Sequence, residues 1–214
     1  MVELSGAEAV AARKIFGDRL DLATRYVEHL ATSGIERGLI GPREVPRLWE
    51  RHVLNCAVVA ELIDDGAKVA DVGSGAGLPG LTLALAREDL EVTLIEPLER
   101  RVAWLEEVVM DLRLDNVEIM RARAEQAVGK VECDVVTARA VSALNTLAGL
   151  TIPLLGGEGE LLAIKGRSAA EEVEKAAKVI RKLGGVETEV LPAGTGILVE
   201  PTTVVRIRVS RSRG

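Results

Sequence analysis

The amino-acid sequence predicts an α/β protein in which a parallel sheet follows an N-terminal helical extension. From Lys68 onwards, short apolar runs alternate with helical segments, a pattern typical of βαβ units. Before Lys68, the apolar residues recur at helical spacing instead. The 214 residues are 48% hydrophobic and 28% charged, enough for one sizeable core. We expect a helical extension over residues 1–64, packed on a single compact domain over residues 65–214.

The extension contains three predicted helices. Ser5 and Glu8 have the spacing of a capping box, so the first helix begins after Ser5. The second helix runs from about residue 18 to residue 33 and ends at Gly34, and Pro46 can open the third, which continues to about residue 63.

Large side chains on these helices have the spacing of core residues. Trp49 and His52 share the apolar face of the third helix, and Trp104 lies in a later helical run. We expect both tryptophans in the core and His52 to be a hydrogen-bonded structural histidine. With only four aromatic side chains, the chain is unlike modules that stack several bases on rings.

The alternating part contains strand and helix signals in regular order. Strands are predicted at residues 68–72, 91–95, 117–120, 133–138 and 160–164. Helices are predicted at residues 78–86, 98–112, 142–155 and 168–183. Two further apolar runs, residues 186–191 and 202–210, have no helix between them. They predict an antiparallel hairpin at one edge of the sheet.

Charge and cysteine content exclude several classes of protein. The formal net charge is −6, with −7 in residues 65–135 and +3 in residues 200–214, which disfavours a protein that coats nucleic acid non-specifically. No apolar run approaches the length of a membrane helix, and the first residues lack the apolar core of a signal peptide. Cys56 and Cys133 form no C-x-x-C motif. We expect a soluble, cytoplasmic, metal-free protein, and nothing argues against a monomer.

The sharpest local signal is the glycine-rich stretch VADVGSGAGLPG, residues 69–80. Gly73, Gly75, Gly77 and Gly80 lie between the first predicted strand of the sheet and the helix that follows it. Glycines are needed where the backbone turns sharply and a ligand approaches without a Cβ in the way. A merely tight turn would not need four of them, so the stretch predicts a cofactor loop.

Two residues favour S-adenosylmethionine over a dinucleotide. The spacing G-x-G-x-x-G formally fits dinucleotide loops, but that pattern alone is weak. Asp71, two residues before the first glycine, would face an ammonium or sulfonium better than a pyrophosphate. Pro79 lies where the helix starts, which reduces the N–H groups available to phosphate. Glu96, at the end of the next strand, suits the hydroxyls of a ribose in either cofactor, or is a solvated strand-end carboxylate.

The motifs DVGSGAGLPG, LIEPLERRVAWL, RARAE, TARA and LLAIKG, in this order, resemble the glucose-inhibited division protein B family, also called RsmG. The resemblance extends from about Asp18 to Arg208. It implies a Rossmann-like, seven-stranded methyltransferase sheet with S-adenosylmethionine as cofactor. It also implies a substrate, N7 of a guanine in the 530 loop of 16S rRNA, with that rRNA or the small ribosomal subunit as partner.

The resemblance also assigns roles to individual residues. It implies that Gly73 and Leu78 line the methionine end of the cofactor site, and that Ala124 and Glu125 bracket the adenine. It places Arg139 at the end of the fourth strand, facing the cofactor and the target base. One segment departs from the family pattern R-H-x-x-D-S, because Asn55 and Cys56 stand where the family usually has Asp and Ser. We therefore assign no acid–base role to that segment.

The residues around Arg139 favour methylation of a ring nitrogen. Methylation of an exocyclic amine usually requires an N/D-P-P-Y/F loop, and here residues 137–140 read TARA. Cys133 lies at the start of a strand, which is wrong for a C5-directed nucleophile. Guanine N7 attacks through a free lone pair, so no general base is needed and positioning suffices. Arg139 can donate to guanine O6 or a phosphate, or it can instead form an ion pair with Asp71 or Glu96.

Because the net negative charge of the chain repels RNA, any RNA must bind at local basic patches. The candidates are Arg43, Arg47, Arg51, Lys165, Arg167, Arg206, Arg208 and the final arginines Arg211 and Arg213. Lys165 and Arg167 are equally explained as surface charges, and Arg206 and Arg208 as the solvated face of an edge strand. Two other functions stay open from the residues alone. One is a methyltransferase for small molecules, and the other is a non-catalytic dinucleotide-binding module.

Overall fold

A computed structural model describes residues 4–210. Its centre is one mixed sheet with the strand order β3-β2-β1-β4-β5-β7-β6. The strands are β1 (Lys68–Val72), β2 (Glu91–Ile95), β3 (Val117–Met120), β4 (Val135–Arg139), β5 (Gly159–Lys165), β6 (Gly185–Ala193) and β7 (Thr202–Val209). The first five are parallel to one another, and β7 is antiparallel to both β5 and β6. The seven-stranded α/β architecture is therefore confirmed.

Helices cover both faces of the sheet. The α-helices are α1 (Gly6–Phe16), α2 (Leu20–Ala31), α3 (Ser33–Glu36), α4 (Asn55–Ala57), α5 (Gly80–Ala86), α6 (Glu99–Leu112), α7 (Ala124–Ala127), α8 (Leu144–Thr151) and α9 (Ala169–Lys182). Short 3-10 helices occur at Gly17–Arg19, Pro42–Arg47, Val58–Leu62 and Ile152–Leu155. The four-residue α7 was not predicted, because so short a helix has no periodic pattern.

The N-terminal elements follow the sequence signals closely, with two differences. The predicted second helix ends at Ala31, and Gly34, its predicted end, lies inside the separate helix α3. The capping box of α1 is present, because Ser5 N–H donates to Glu8 and Glu8 N–H donates to Ser5 Oγ. The third helix is not regular and begins earlier than predicted. Residues 42–62, here called the 42–62 segment, run through 3-10, π-helical, α-helical and 3-10 turns without a break. Pro46 lies inside the first turn and has no N–H for an α-helical bond.

The helical extension and the sheet share one apolar core. Buried residues from the extension, including Tyr26 and Trp49, form one cluster with Trp104 of α6 and with residues of β1 and β2. Both tryptophans are almost wholly buried, as predicted. A second cluster fills the opposite face of the sheet, under α8 and α9. The extension is therefore fastened to one face of the sheet by apolar burial.

The hairpin of β6 and β7 is confirmed, but its order in the sheet differs from one expectation. β7 lies between β5 and β6, so β6 is the edge strand. The prediction that Arg206 and Arg208 lie on a solvated edge strand is therefore wrong. A strand with partners on both sides has neighbours for its outward side chains, and these two arginines use them.

Candidate functional site

The predicted cofactor residues meet at the carboxyl edge of the sheet. β1 has β2 on one side and β4 on the other, so connections leave this point in opposite directions. Clefts at such a switch point are where open α/β sheets bind their ligands. Asp71 pairs with Thr137 across β1 and β4. Gly73 and Arg139, each two residues further along the chain, therefore lie at the same level at the end of the sheet.

Two positions of the glycine loop require glycine, because of their backbone conformation and their close neighbours. Gly73 has φ +71°, and a Cβ there would lie 3.0 Å from Val141 of the loop after β4. Gly77 has φ +84°, and a Cβ there would overlap the Leu81 side chain. Both positions combine a left-handed backbone with no room for a side chain. The loop is thus closely packed against its own helix and against the end of β4.

Most amide groups of the glycine loop are already used inside the protein. The N–H groups of Gly73 and Ser74 donate to a carbonyl of β2, and that of Gly77 donates to Ser74. Gly75 donates to the Glu96 carboxylate at 2.9 Å, and Gly80 donates to the Asp71 carboxylate at 3.1 Å. A pyrophosphate requires free N–H groups at such a loop. These amides are therefore not free for a pyrophosphate, which favours a cofactor without one.

Asp71 supports the loop from inside and does not face the cleft. Its carboxylate accepts hydrogen bonds from Gly80 N–H and from the Thr137 hydroxyl, at 3.1 and 3.3 Å, and the residue is fully buried. Burial raises the pKa of Asp71 to about 6, against hydrogen bonds that lower it. The expectation that this carboxylate faces an ammonium or sulfonium is corrected, because both oxygens are directed at the chain itself.

Glu96 joins the loop to the end of β2. One carboxylate oxygen accepts from Gly75 N–H and the other from Leu98 N–H, each at 2.9 Å, and Arg101 Nη1 lies 3.6 Å away. The residue is buried, so the interpretation as a solvated strand-end carboxylate is wrong. A carboxylate has lone pairs for more than these two bonds. Glu96 therefore keeps the capacity to accept the hydroxyls of a ribose.

Arg139 contacts the helical extension and forms no ion pair with Asp71 or Glu96. Its Nη1 donates to Cys56 Sγ at 3.2 Å, and its Nη2 lies 2.8 Å from His52 Nδ1. The alternative of an ion pair across the strand tips is therefore wrong. Cys56, which stands where the family usually has Ser, therefore has a structural role, because its sulfur accepts a hydrogen bond from the Arg139 guanidinium.

His52 is hydrogen-bonded on both ring nitrogens, as predicted for a structural histidine. Its Nε2 lies 2.7 Å from Glu44 Oε2, and its Nδ1 faces Arg139. Burial is the main cause that lowers the pKa of His52, although the bond to Glu44 opposes it. The sequence predicted the buried histidine but neither of its partners, because residues 44, 52 and 139 share no element or period.

Tyr26 is a second link between the extension and the site that the sequence did not indicate. Its hydroxyl donates to the carbonyl of Ala76, in the middle of the glycine loop, at 2.6 Å. The ring is fully buried on α2, and burial raises the pKa of the phenol well above its usual value. The loop is thus held from the extension as well as from β1 and β2.

The other residues assigned to the cofactor lie along the same edge. Leu78 is buried in the glycine loop, and Ala124 is buried at the first turn of α7, directly after β3. Glu125 follows Ala124 and is exposed. Their contacts with methionine and adenine stay predictions.

Five of the predicted RNA-binding arginines have exposed side chains, and one of them, Arg208, is described with β7 below. Arg43, Arg47 and Arg51 project from the 42–62 segment, and Arg167 follows β5. Arg51 Nη1 lies 3.7 Å from Glu44 Oε2, next to the His52 and Arg139 contacts. These arginines of the 42–62 segment therefore lie on the element that contacts Arg139.

Lys165 is an internal ion-pair residue and not a free surface charge. Its Nζ donates to Ser142 O at 2.7 Å and to Glu172 Oε2 at 2.8 Å. The same carboxylate oxygen accepts from Leu144 N–H at the start of α8, at 2.9 Å. Only 10% of the Lys165 side chain is exposed. The assignment of Lys165 to an RNA phosphate is corrected, because the charge is balanced inside the fold.

Arg206 and Arg208 are cross-strand partners of glutamates. Arg206 bonds Glu189, and Arg208 bonds both Glu160 and Glu187. β7 runs away from the cleft, since Thr203 pairs with Lys165 at the carboxyl end of β5 while Arg208 pairs near its amino end. Their assignment to RNA is therefore corrected, because their charges are balanced and remote from Arg139. Arg211 and Arg213 lie outside the described residues.

Nothing in the described chain points to metal or cysteine chemistry at this site. Within residues 4–210 there is no group of three or more His, Cys, Asp or Glu side chains placed to hold a metal ion. Burial raises the pKa of both cysteine thiols, Cys56 and Cys133, to about 11, so neither is a ready nucleophile. Among the described helices, none combines the length and the apolarity that crossing a membrane requires.

The strand order and the glycine loop at the switch point define an S-adenosylmethionine-dependent methyltransferase fold of the Rossmann-like type. A putative S-adenosylmethionine-dependent methyltransferase from Methanococcus maripaludis superposes with a TM-score of 0.59 over 91% of this chain and 94% of that one, at 14% identity. M. jannaschii TYW2 in complex with AdoMet superposes with a TM-score of 0.60 over 77% and 78%, at 18% identity. At these identities the likeness shows the fold.

The chain belongs to the GidB family, rRNA small subunit methyltransferase G, which it matches over residues 19–197. A ribosomal RNA small subunit methyltransferase G from Pseudarthrobacter chlorophenolicus is 76% identical over 99% of this chain and 98% of its own length. A protein of the same name from Streptomyces avermitilis is 57% identical over 95% and 86%. The resemblance inferred from the motifs is confirmed.

Proposed function

We propose that this protein transfers a methyl group from S-adenosylmethionine to N7 of a guanine in the 530 loop of 16S rRNA. The observation that carries the cofactor assignment is that most amides of the glycine loop are already hydrogen-bonded within the protein. Its Gly75 and Gly80 amides donate to buried carboxylates and are not free for a pyrophosphate, whereas S-adenosylmethionine has no phosphate to hold. The names of the relatives and the family motifs support the RNA substrate.

The residues present fit that cofactor in three places. Gly73 and Leu78 would hold its methionine end, Glu96 its ribose, and the start of α7 its adenine. When bound, the sulfonium supplies an electrophilic methyl group to an in-line nucleophile. The chain's own contribution is to bind, orient and keep water away from the two reactants.

Arg139 is the group that we assign to the target base. Its guanidinium is held at Nη1 and Nη2 but has further N–H donors, which can bond guanine O6 and leave N7 free. No base is required, because N7 has no proton to lose. His52 does not act as one, since its Nδ1 faces Arg139 and its Nε2 faces Glu44. The site thus positions a nucleophile that is already competent.

The experiment measures 7-methylguanosine in 16S rRNA by mass spectrometry in a deletion strain that carries the wild-type gene or a variant. We expect the wild-type gene to restore the modification and Arg139→Ala to reduce it by about 100-fold or more. Methylation of small acceptors without RNA, or no change in 7-methylguanosine on deletion, would overturn the RNA assignment.

Cofactor binding is tested separately by calorimetry with S-adenosylhomocysteine and NAD. We expect S-adenosylhomocysteine to bind wild-type protein and not Gly73→Val, whose side chain would occupy the loop. Gly66→Val is the matched control, because Gly66 has φ +69° and no atom within 4 Å of a Cβ. It carries the same backbone cost away from the loop. Tight NAD binding without S-adenosylhomocysteine binding would favour a dinucleotide-binding module.

A further inference from the structure

We propose that His52, held by Glu44, is a positioning residue for Arg139, so that the helical extension forms part of the active site. The inference rests on the proposed function in one respect, the role of Arg139 at the target base. Three side chains form an unbroken line from the surface of the extension to the end of β4. Glu44 Oε2 lies 2.7 Å from His52 Nε2, and His52 Nδ1 lies 2.8 Å from Arg139 Nη2.

The chemistry of the partners fixes the tautomer of His52. A guanidinium only donates hydrogen bonds, so Nδ1 must present its lone pair to Arg139. The ring proton is then on Nε2, where it donates to the Glu44 carboxylate. A neutral imidazole in this one tautomer satisfies both neighbours. Glu44 therefore selects the form of His52 that can accept from Arg139.

The extension holds the guanidinium at two points. Cys56 Sγ accepts from Nη1 at 3.2 Å while His52 takes Nη2, so the plane of the Arg139 head group is defined. His52 lies in the π-helical turn Leu48–Leu54, and Cys56 follows in α4. Both are buried among the apolar residues that fasten the extension to the sheet. An arginine without these partners would have to be ordered on binding, at a cost in entropy.

Protonation of His52 would break this arrangement. An imidazolium carries N–H groups on both nitrogens, and the one on Nδ1 would oppose the Arg139 N–H. The charged groups that face His52 are Glu44 and Arg51 from its own segment and Arg139 from β4. Burial lowers the pKa of His52 below its usual value, so the neutral form holds at neutral pH. Arg139 is thus positioned at neutral pH and released on acidification.

Nitrogen-15 NMR of the histidine rings tests the tautomer without any methylation assay. The chain has two histidines, and His29, which bonds Asp111 at the surface, serves as the control in the same spectrum. We expect His52 to be neutral with its proton on Nε2 at pH 7.5. We expect Arg139→Ala to raise the pKa of His52, because a neighbouring positive charge is removed. A proton on Nδ1 at pH 7.5 would overturn the proposal.

Kinetics test whether His52 acts through Arg139. We expect His52→Ala to lower kcat about tenfold or more with the cofactor KM within about twofold, because a misplaced group slows the chemical step. His52→Asn offers an amide oxygen to Arg139, so it should recover most of kcat and lose the acidic limb of the pH profile. His29→Ala should leave kcat unchanged.

A double-mutant cycle separates positioning from general destabilisation. If His52 works through Arg139, adding His52→Ala to Arg139→Ala lowers kcat no further. Multiplicative losses, or a His52→Asn variant as slow as His52→Ala, would overturn the proposal. If no RNA is methylated by any variant, the proposed function fails, and the ring-nitrogen measurement still decides whether His52 holds Arg139.

Discussion

Asp71 carries a buried negative charge whose hydrogen bonds close the glycine loop. Gly80 N–H and the Thr137 hydroxyl both donate to its carboxylate. Because its pKa in the folded protein is about 6, above the usual value for Asp, the folded state prefers the protonated form. The stabilisation from that preference is fully present below about pH 4 and is lost as the pH rises through about 6.

Asp71→Asn should therefore remove a pH-dependent loss of stability. The amide can accept from Gly80 and donate to the Thr137 hydroxyl without carrying a charge. We expect the variant to gain about 1–3 kcal/mol over wild type at pH 8, and the gain to vanish near pH 4. Urea unfolding across this pH range measures the difference. Calorimetry with S-adenosylhomocysteine on the same variant reports whether the charge contributes to cofactor binding.

Asp89 provides a control of opposite sign. Its carboxylate accepts from Arg87 and from Gly66 N–H, which hold its pKa well below the usual range. Asp89→Asn should lose stability at neutral pH, and that loss should shrink as the pH falls below about 4. Equal pH profiles for the two variants would contradict the assignment of the raised pKa to Asp71.

At the scale of elements, the ends of β4 and β5 are joined to the helices behind them by one internal ion pair. Lys165 at the end of β5 bonds Glu172 in α9, and the same carboxylate caps the start of α8. The pair is mostly buried, so removal of Lys165 leaves the Glu172 carboxylate without a countercharge. It holds the loop between Arg139 and α8 in place.

Lys165→Met should behave as a stability variant and not as an RNA-binding variant. We expect it to cost about 1–3 kcal/mol, and the double variant Lys165→Met with Glu172→Gln, whose amide oxygen can still accept from Leu144 N–H, to recover much of that loss. Thermal unfolding measures both, with the exposed Arg167→Met as the control. A drop in RNA affinity for Lys165→Met at unchanged stability would restore Lys165 to the phosphate-binding set.

The elements show where sequence reasoning succeeds. β1, β2 and β3 have the predicted bounds, because each is a short run rich in apolar residues between turn residues. Contacts between distant elements were not predicted. Arg206 and Arg208 were correctly placed on one face of a strand, but sequence alone does not say that glutamates of β5 and β6 lie beside that face. The contact of His52 with Arg139 joins two elements through packing that no local pattern encodes.

For the whole molecule, the net charge of −6 and the position of the exposed arginines set how RNA can bind. The basic groups of β7 are used in cross-strand pairs, and Lys165 is used in its pair with Glu172. Four arginines of the predicted set are left within residues 4–210: Arg43, Arg47, Arg167 and Arg51, whose pair with Glu44 is long, at 3.7 Å, and exposed. Three of these lie on the 42–62 segment that also positions Arg139. The 42–62 segment would therefore both bind the RNA phosphates and orient Arg139 toward the target base.

This distribution predicts a weak salt dependence of RNA binding. Four phosphate contacts to single-stranded RNA give a slope of about −3 for log K against log salt concentration. We expect about that slope for a 530-loop RNA fragment, measured by fluorescence anisotropy at several salt concentrations. Changing Arg43, Arg47 and Arg51 together to Ala should reduce the slope to about −1, because three contacts are lost.

Arg206 and Arg208 provide the matched control for that measurement. Their joint change to Ala removes nearly as much positive charge but leaves the 42–62 segment intact, so the slope should stay near its wild-type value. If overall charge and not position governed binding, both sets of variants would flatten the slope in proportion to the arginines removed. For the Arg206 and Arg208 variant the two outcomes differ by about 1.4 units of slope, at about 0.7 for each arginine, which decides whether RNA binds at the extension or over the whole surface.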